Sequence, residues 1–256
     1  MKYSNKLIAA SILALSATSV SAAKIVFDDA TDANYELSST GTSGNPDVYG
    51  QTLTYSGFTV TGGFASSNVL TGSGFKKSDI TSTTVDQNAA SMGGGLGVCS
   101  ESSTCSGASG SLSSNTNVGD PGGDEILFFD FFSDTLLETI YFNGANDDLV
   151  NGDLDGTFKE TSDALYNVFF SADGSSYQSI FGGSGQQQPT NLDFFDIATA
   201  DYYGYWAVAA SGWGDHSGYV EAVKYTSVPE PSTLALIGLG LVGLVVARRR
   251  DSSKSA

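Results

Sequence analysis

The sequence predicts an all-β protein, built as a single jelly-roll-like β-sandwich, and three observations carry that prediction. Short runs rich in β-branched and aromatic residues recur from residue 24 to residue 227, with Gly, Asn, Asp and Ser between them. No stretch of that region sustains a helical period. Turn-forming clusters such as "SADGSSY" and "SGWGDHSGY" sit between runs and read as hairpin connections.

Taken in order, the chain begins with a segment that is not part of the domain. Lys2 and Lys6 form a basic start, Leu7 to Ala17 is apolar, and Val20-Ser21-Ala22 offers the short side chains a signal peptidase needs. Residues 1–22 are therefore read as a signal peptide cleaved after Ala22; the apolar stretch is too short to serve comfortably as an anchor. The ectodomain, residues 23–227, is long enough to bury a core. Strands are expected in "KIVFDD", "NYELSS", "QTLTYSGFTVTGG", "EILFFDFF", "LLETIYF", "LYNVFFSA", "YQSIFG", "LDFFDIA", "YGYWAVAAS" and "YVEAVKYTS". Ile126, Phe128, Asp130 and Phe132 alternate against their neighbours, as a strand requires. Residues 88–124 differ, being rich in Gly, Ser, Thr and Asn, and read as a long surface loop with room for one weak strand at "GLGV". Cys99 and Cys105, close together in an exported chain, read as a disulfide that staples this loop.

Charge narrows the partners. The whole chain carries −17, but the ectodomain holds five lysines and no arginine against 26 carboxylates, a formal charge of −21. Such a surface repels nucleic acid and anionic membrane alike and argues against both as partners, while favouring solubility and the company of divalent cations.

Chemistry is harder to find. His216 is the only histidine, and neither Asp215 nor Ser217 can act as a triad partner merely by adjacency, so it reads as a turn residue. Zinc lacks ligands, and no pair of carboxylates stands out for glycoside hydrolysis; no catalytic residue is assigned. In "NGDLDG", Asn151, Asp153 and Asp155 with Gly156 reproduce the first half of a Ca²⁺ loop, but the twelfth position is Ser162 rather than Glu. A structural Ca²⁺ site and an Asn/Asp/Gly hairpin loop both fit, the hairpin better. The segment "DYYGYWAVAASGW" gathers Tyr202, Tyr203, Tyr205, Trp206 and Trp213. Trp206 and Trp213 could stack on saccharide if exposed, although aromatic residues in a β domain more often pack inside.

The end of the chain is the most specific part. From Ser232 to Ala247 no charged residue occurs, and Arg248, Arg249 and Arg250 follow at once. Those sixteen residues would reach about 24 Å as a helix, against roughly 30 Å of hydrocarbon, a gap that snorkelling arginines and bilayer thinning can close. The arginines belong in the cytoplasm, with the ectodomain across the membrane. Val228-Pro229-Glu230-Pro231, an apolar helix and a basic cluster, in that order and at the terminus, resemble the PEP-CTERM sorting signal of Gram-negative exported proteins. The resemblance covers residues 228–250. It implies that Pro229, Glu230 and Pro231 (within a motif at 228–232) are recognised by an exosortase, a membrane protease. It further implies that 233–247 is a temporary transmembrane helix, and that Arg248 to Arg250, in the tail 248–256, stop transfer. The segment "GDPGGDEILFFDFFSDTLLETIYF" also looks like one common in such proteins, a Gly/Asp loop before a pair of strands.

The expected function is accordingly that of a non-enzymatic cell-surface or extracellular-matrix protein. Signal peptidase and an exosortase-type protease process it, and it is associated with exopolysaccharide. A Ca²⁺-dependent carbohydrate-binding module and a secreted hydrolase are the alternatives. No cofactor is required by the sequence, Ca²⁺ being the one candidate.

Overall fold

The structure is a computed structural model that describes residues 22–27, 32–43, 48–65, 69–88, 95–99, 112–114, 124–144, 165–182, 194–197, 201–211 and 216–227. One compact unit spans Ala22–Thr226; a second groups residues 1–21 with 227–256 and, Ser227 apart, lies outside the described residues.

The all-β expectation holds, and no α-helix occurs among the described residues. The chain enters on β1 (Ala22–Val26), followed by the small strands β2 (Thr42–Ser43) and β3 (Val48–Gly50) and the hairpin of β4 (Leu53–Thr54) with β5 (Phe58–Ala65). A strap of two single-turn 3-10 helices, Val69–Thr71 and Lys77–Asp79, brackets β6 (Gly74–Lys76). Next come β7 (Thr81–Asn88), β8 (Gly95–Cys99), β9 (Leu112–Ser114) and the long β10 (Asp124–Gly144). The hairpin of β11 (Leu165–Ser171) with β12 (Ser176–Ser179), then β13 (Phe194–Asp196), β14 (Tyr203–Ser211) and β15 (His216–Ser227) complete the domain.

Two packed sheets were expected; one continuous sheet is found. Its order runs β1-β15-β8-β7-β5-β10-β14-β11-β12-β6, and β15 pairs with β10 as well, so β15, β8, β7, β5 and β10 close into a five-stranded barrel with the remaining strands outside it. The reason lies in β10. "EILFFDFF" and "LLETIYF", read as two strands, are a single strand of 21 residues. Its first half pairs with β5 and β14 and its second half with β13. Between them the register slips: Asp130 faces Tyr205 and Thr135 faces Tyr203, so β10 spends five steps where β14 spends two. A bulge of this kind bends and twists a strand. A bent strand shared by both halves leaves no second sheet to stack, and closure removes the edges two open sheets would expose.

The first half of β10 is buried on both faces, which explains its nearly unbroken apolar run. Leu127, Phe129 and Phe131 point into the main core with Val60, Val85, Val98, Val208 and Trp206. Ile126 and Phe128 point the other way, into a smaller cluster with Ala207, Ala209 and Phe169 that Leu70 and Phe75 of the strap cover. Asn167 pins that strap by donating to Leu70 O at 3.1 Å while accepting from Ser179 Oγ at 2.7 Å.

Three local expectations are settled here. "SADGSSY" is a hairpin turn: Asp173 accepts from the backbone N–H groups of Ser175 (2.8 Å) and Ser176 (2.9 Å), and Gly174 takes φ +68°. "SGWGDHSGY" is not one, because β14 and β15 are not neighbours in the sheet; each instead lies beside β10. Within 88–124, expected as loop, β8 forms at "GLGV" and becomes part of the barrel wall, and β9 pairs with β15.

β7, "TSTTVDQN", has no apolar run to announce it. Its buried Gln87 is held by four hydrogen bonds, donating to Phe27 O and Glu36 O (both 2.9 Å) and accepting from Ser38 N–H and the Tyr55 hydroxyl (both 3.0 Å). With every donor and acceptor used, the amide sits in the core without the cost of an unmade bond. It also fixes Phe27 and the segment 36–38 against the barrel.

Candidate functional site

Of the aromatic residues singled out from the sequence, Tyr202, Tyr203, Tyr205 and Trp206 lie among the described residues. Trp206 is fully buried, its indole N–H donating to Thr135 O (3.2 Å) and Tyr203 O (3.1 Å). Its ring meets Phe170 and Tyr203 rather than solvent, so it cannot stack on saccharide. The cause is register: Trp206 alternates with Ala207, and the inward face of β14 is the wide main core. Tyr203 stacks on Phe170 at 4.3 Å, and Tyr205 lies against Gly174, where a Cβ would come within 2.9 Å of its ring. Tyr202, 41% exposed, is the open ring of that cluster among the described residues. Trp213 lies outside them, as do Asn151, Asp153 and Asp155, Cys105 and with it the bridge to Cys99, Pro229, Glu230 and Pro231, the helix 233–247 and Arg248, Arg249 and Arg250. His216 is not a turn residue; it begins β15, paired with Ser114.

Among the described residues no group of three His, Cys, Asp or Glu side chains could hold a metal ion, and no helix is long and apolar enough to cross a membrane. Lys77 places its ammonium 4.6 Å over the Phe128 ring. Burial pulls its pKa down, while the charge of Asp130 opposes that.

The most constrained polar cluster lies where the two ends of the domain meet. β1 runs antiparallel to the end of β15, pairing Ala22 with Thr226, Ala23 with Tyr225 and Lys24 with Lys224. Two of the ectodomain's five lysines thus face each other across the ladder. They are kept apart by different partners: Lys24 lies over the Tyr141 ring at 5.0 Å, and Lys224 forms an ion pair with Glu138 at 2.8 Å. Glu138, on the second half of β10, also accepts from the Thr226 hydroxyl. These two bonds, that from Lys224 foremost, hold the Glu138 carboxyl below the usual glutamate range, and Glu138 in turn raises the pKa of Lys224. Beside them Thr139 donates to Asp196 at 3.3 Å. Glu138 therefore fastens the barrel's last strand to its longest one. Nothing in the sequence pattern marked Glu138; it lies 86 residues before Lys224, and only the closed ring brings them together.

The PEP-CTERM protein-sorting motif matches residues 227–250. The motif marks the chain as an exported, exosortase-sorted protein. No curated protein and no solved structure matches the chain.

Proposed function

We propose that the chain is a non-enzymatic cell-surface or extracellular-matrix protein, released from an inner-membrane precursor by an exosortase-type protease and associated with exopolysaccharide. The observation that carries this reading is the order of parts. A compact unit ending at Thr226 is followed directly by the sorting motif at 227–250. The unit's charge of −21 suits a soluble surface component that does not settle on anionic lipid. Burial of Trp206 weakens the alternative of an aromatic saccharide platform, which would rest on Trp213 and the exposed Tyr202.

The intact mass of the protein isolated from its own cells tests the proposal. The expected chain begins at Ala23 and ends within or close to Pro229–Pro231. A chain still ending at Ala256 would mean a permanently anchored protein and would overturn the sorting half of the reading.

A further inference from the structure

Between the barrel and the sorting motif there is no spacer: the compact unit ends at Thr226 and the motif match begins at residue 227. The last residues of the unit are buried, Thr226 and Tyr225 being 6% and 5% exposed; Tyr225 pairs with Ala23 of β1, and Thr226 with Ala22, the last residue of the signal peptide. The Thr226 hydroxyl and the Lys224 ammonium converge on Glu138.

A polypeptide bound in extended form is gripped through its main-chain N–H and C=O groups, as in strand addition. A strand already paired within a sheet has those groups engaged. Pro229 cannot extend the ladder, having no N–H, and Val228 before it is biased to an extended conformation. The sequence therefore ends the ladder before Pro229, with β15 reaching Ser227, the first residue of the motif match. The end of the strand itself is wanted twice.

We propose that the last residues of β15, 226–227, are a shared segment: held by the Glu138 latch while the barrel is closed, and yielded to the processing protease when that latch opens. This inference rests on the exosortase reading above. The core limits how far the strand can open. Tyr225 packs its ring against Phe58 (5.8 Å) and Phe131 (5.0 Å), so release beyond Thr226 would uncover apolar surface. Opening is a local fraying of the last residues, of the kind that proceeds without global unfolding.

The test follows tail removal by pulse-labelling and mass analysis of the full-length chain in its own cells. Glu138→Ala removes both side-chain bonds and is expected to speed tail loss roughly tenfold, the effect of about one charge-assisted hydrogen bond. Inserting Gly-Ser-Gly-Ser between Ser227 and Val228 supplies free main chain; it is expected to give a similar increase and to abolish any further effect of Glu138→Ala. Val85→Ala thins the core two strands away from β10 and leaves the latch intact, so its rate should match the wild type. Unchanged rates with both the insertion and Glu138→Ala would overturn the proposal, as would equal acceleration by Val85→Ala. A wild-type tail that is never removed is a separate outcome and sinks the sorting reading together with this one.

Discussion

Asp124 opens β10 with only 4% of its surface exposed, and burial pushes its carboxyl up to about 6 from an ordinary 3.8. The folded protein consequently holds this proton more tightly than the unfolded chain does. Between pH ~4 and ~6 the native state binds more protons at this position, so its contribution to stability falls as pH rises and stays low above that window. Asp124→Asn removes the charge that must otherwise be buried. The variant is expected to be more stable than wild type by up to about 2 kcal/mol at pH 7.5 and indistinguishable at pH 3.5, as read by urea denaturation. Single residues were also where the sequence was hardest to read. Gln87 and Trp206 are both fully buried; nothing in "TSTTVDQN" marks the glutamine as a core residue, whereas for the tryptophan packing inside was the favoured of two readings. Burial of each is decided by partners 60 or 71 residues distant, Phe27 for one and Thr135 for the other.

Strands announced themselves where apolar side chains repeat on one or both faces. "EILFFDFF", "LYNVFFSA", "YGYWAVAAS" and "YVEAVKYTS" fall on β10, β11, β14 and β15. β7 escaped because Val85 is the one apolar side chain in its sequence, and Gln87 on the same face is held by hydrogen bonds. β8 was half-visible because two of its five residues are glycine, and one of those explains its place in the wall. Gly95 has φ +134°, and a Cβ there would lie 2.6 Å from Val220 O and 2.9 Å from Tyr219 Cβ. The two strands approach so closely that only glycine fits. Gly95→Ala is expected to cost about 2 to 4 kcal/mol and to loosen β8 from β15. Gly182→Ala, also left-handed at φ +66° but with nothing within 4 Å, should cost nearer 1 kcal/mol. Thermal denaturation of the two variants side by side checks the contrast; equal losses would mean that backbone conformation, not the close approach, decides.

At the scale of the molecule, closure depends on the strand made last. β15 touches β1, β8, β9 and β10, so no subset of earlier strands can complete the ring. A chain ending at Tyr219 is expected to lack the cooperative thermal transition of the full domain and to be digested throughout by a nonspecific protease. A protected fragment running from β5 to β14 would show instead that β15 only decorates a core formed without it. The ring was illegible from the sequence because closure pairs β10 with β15, a relation of register and bend rather than of composition. The sorting tail, by contrast, was legible throughout, since three chemically distinct parts in fixed order at one end need no fold to be recognised.

The pairing of Ala23 with Tyr225 has one more consequence. The domain's two ends are rungs of one ladder, close enough for a two-residue Asn-Gly turn to join them. New ends could be opened in the exposed turn between β11 and β12, as circular permutation favours. Every strand pairing would survive such a rewiring. The ends would then lie at the rim opened in that turn, and a tail fused there would leave the barrel by a different door.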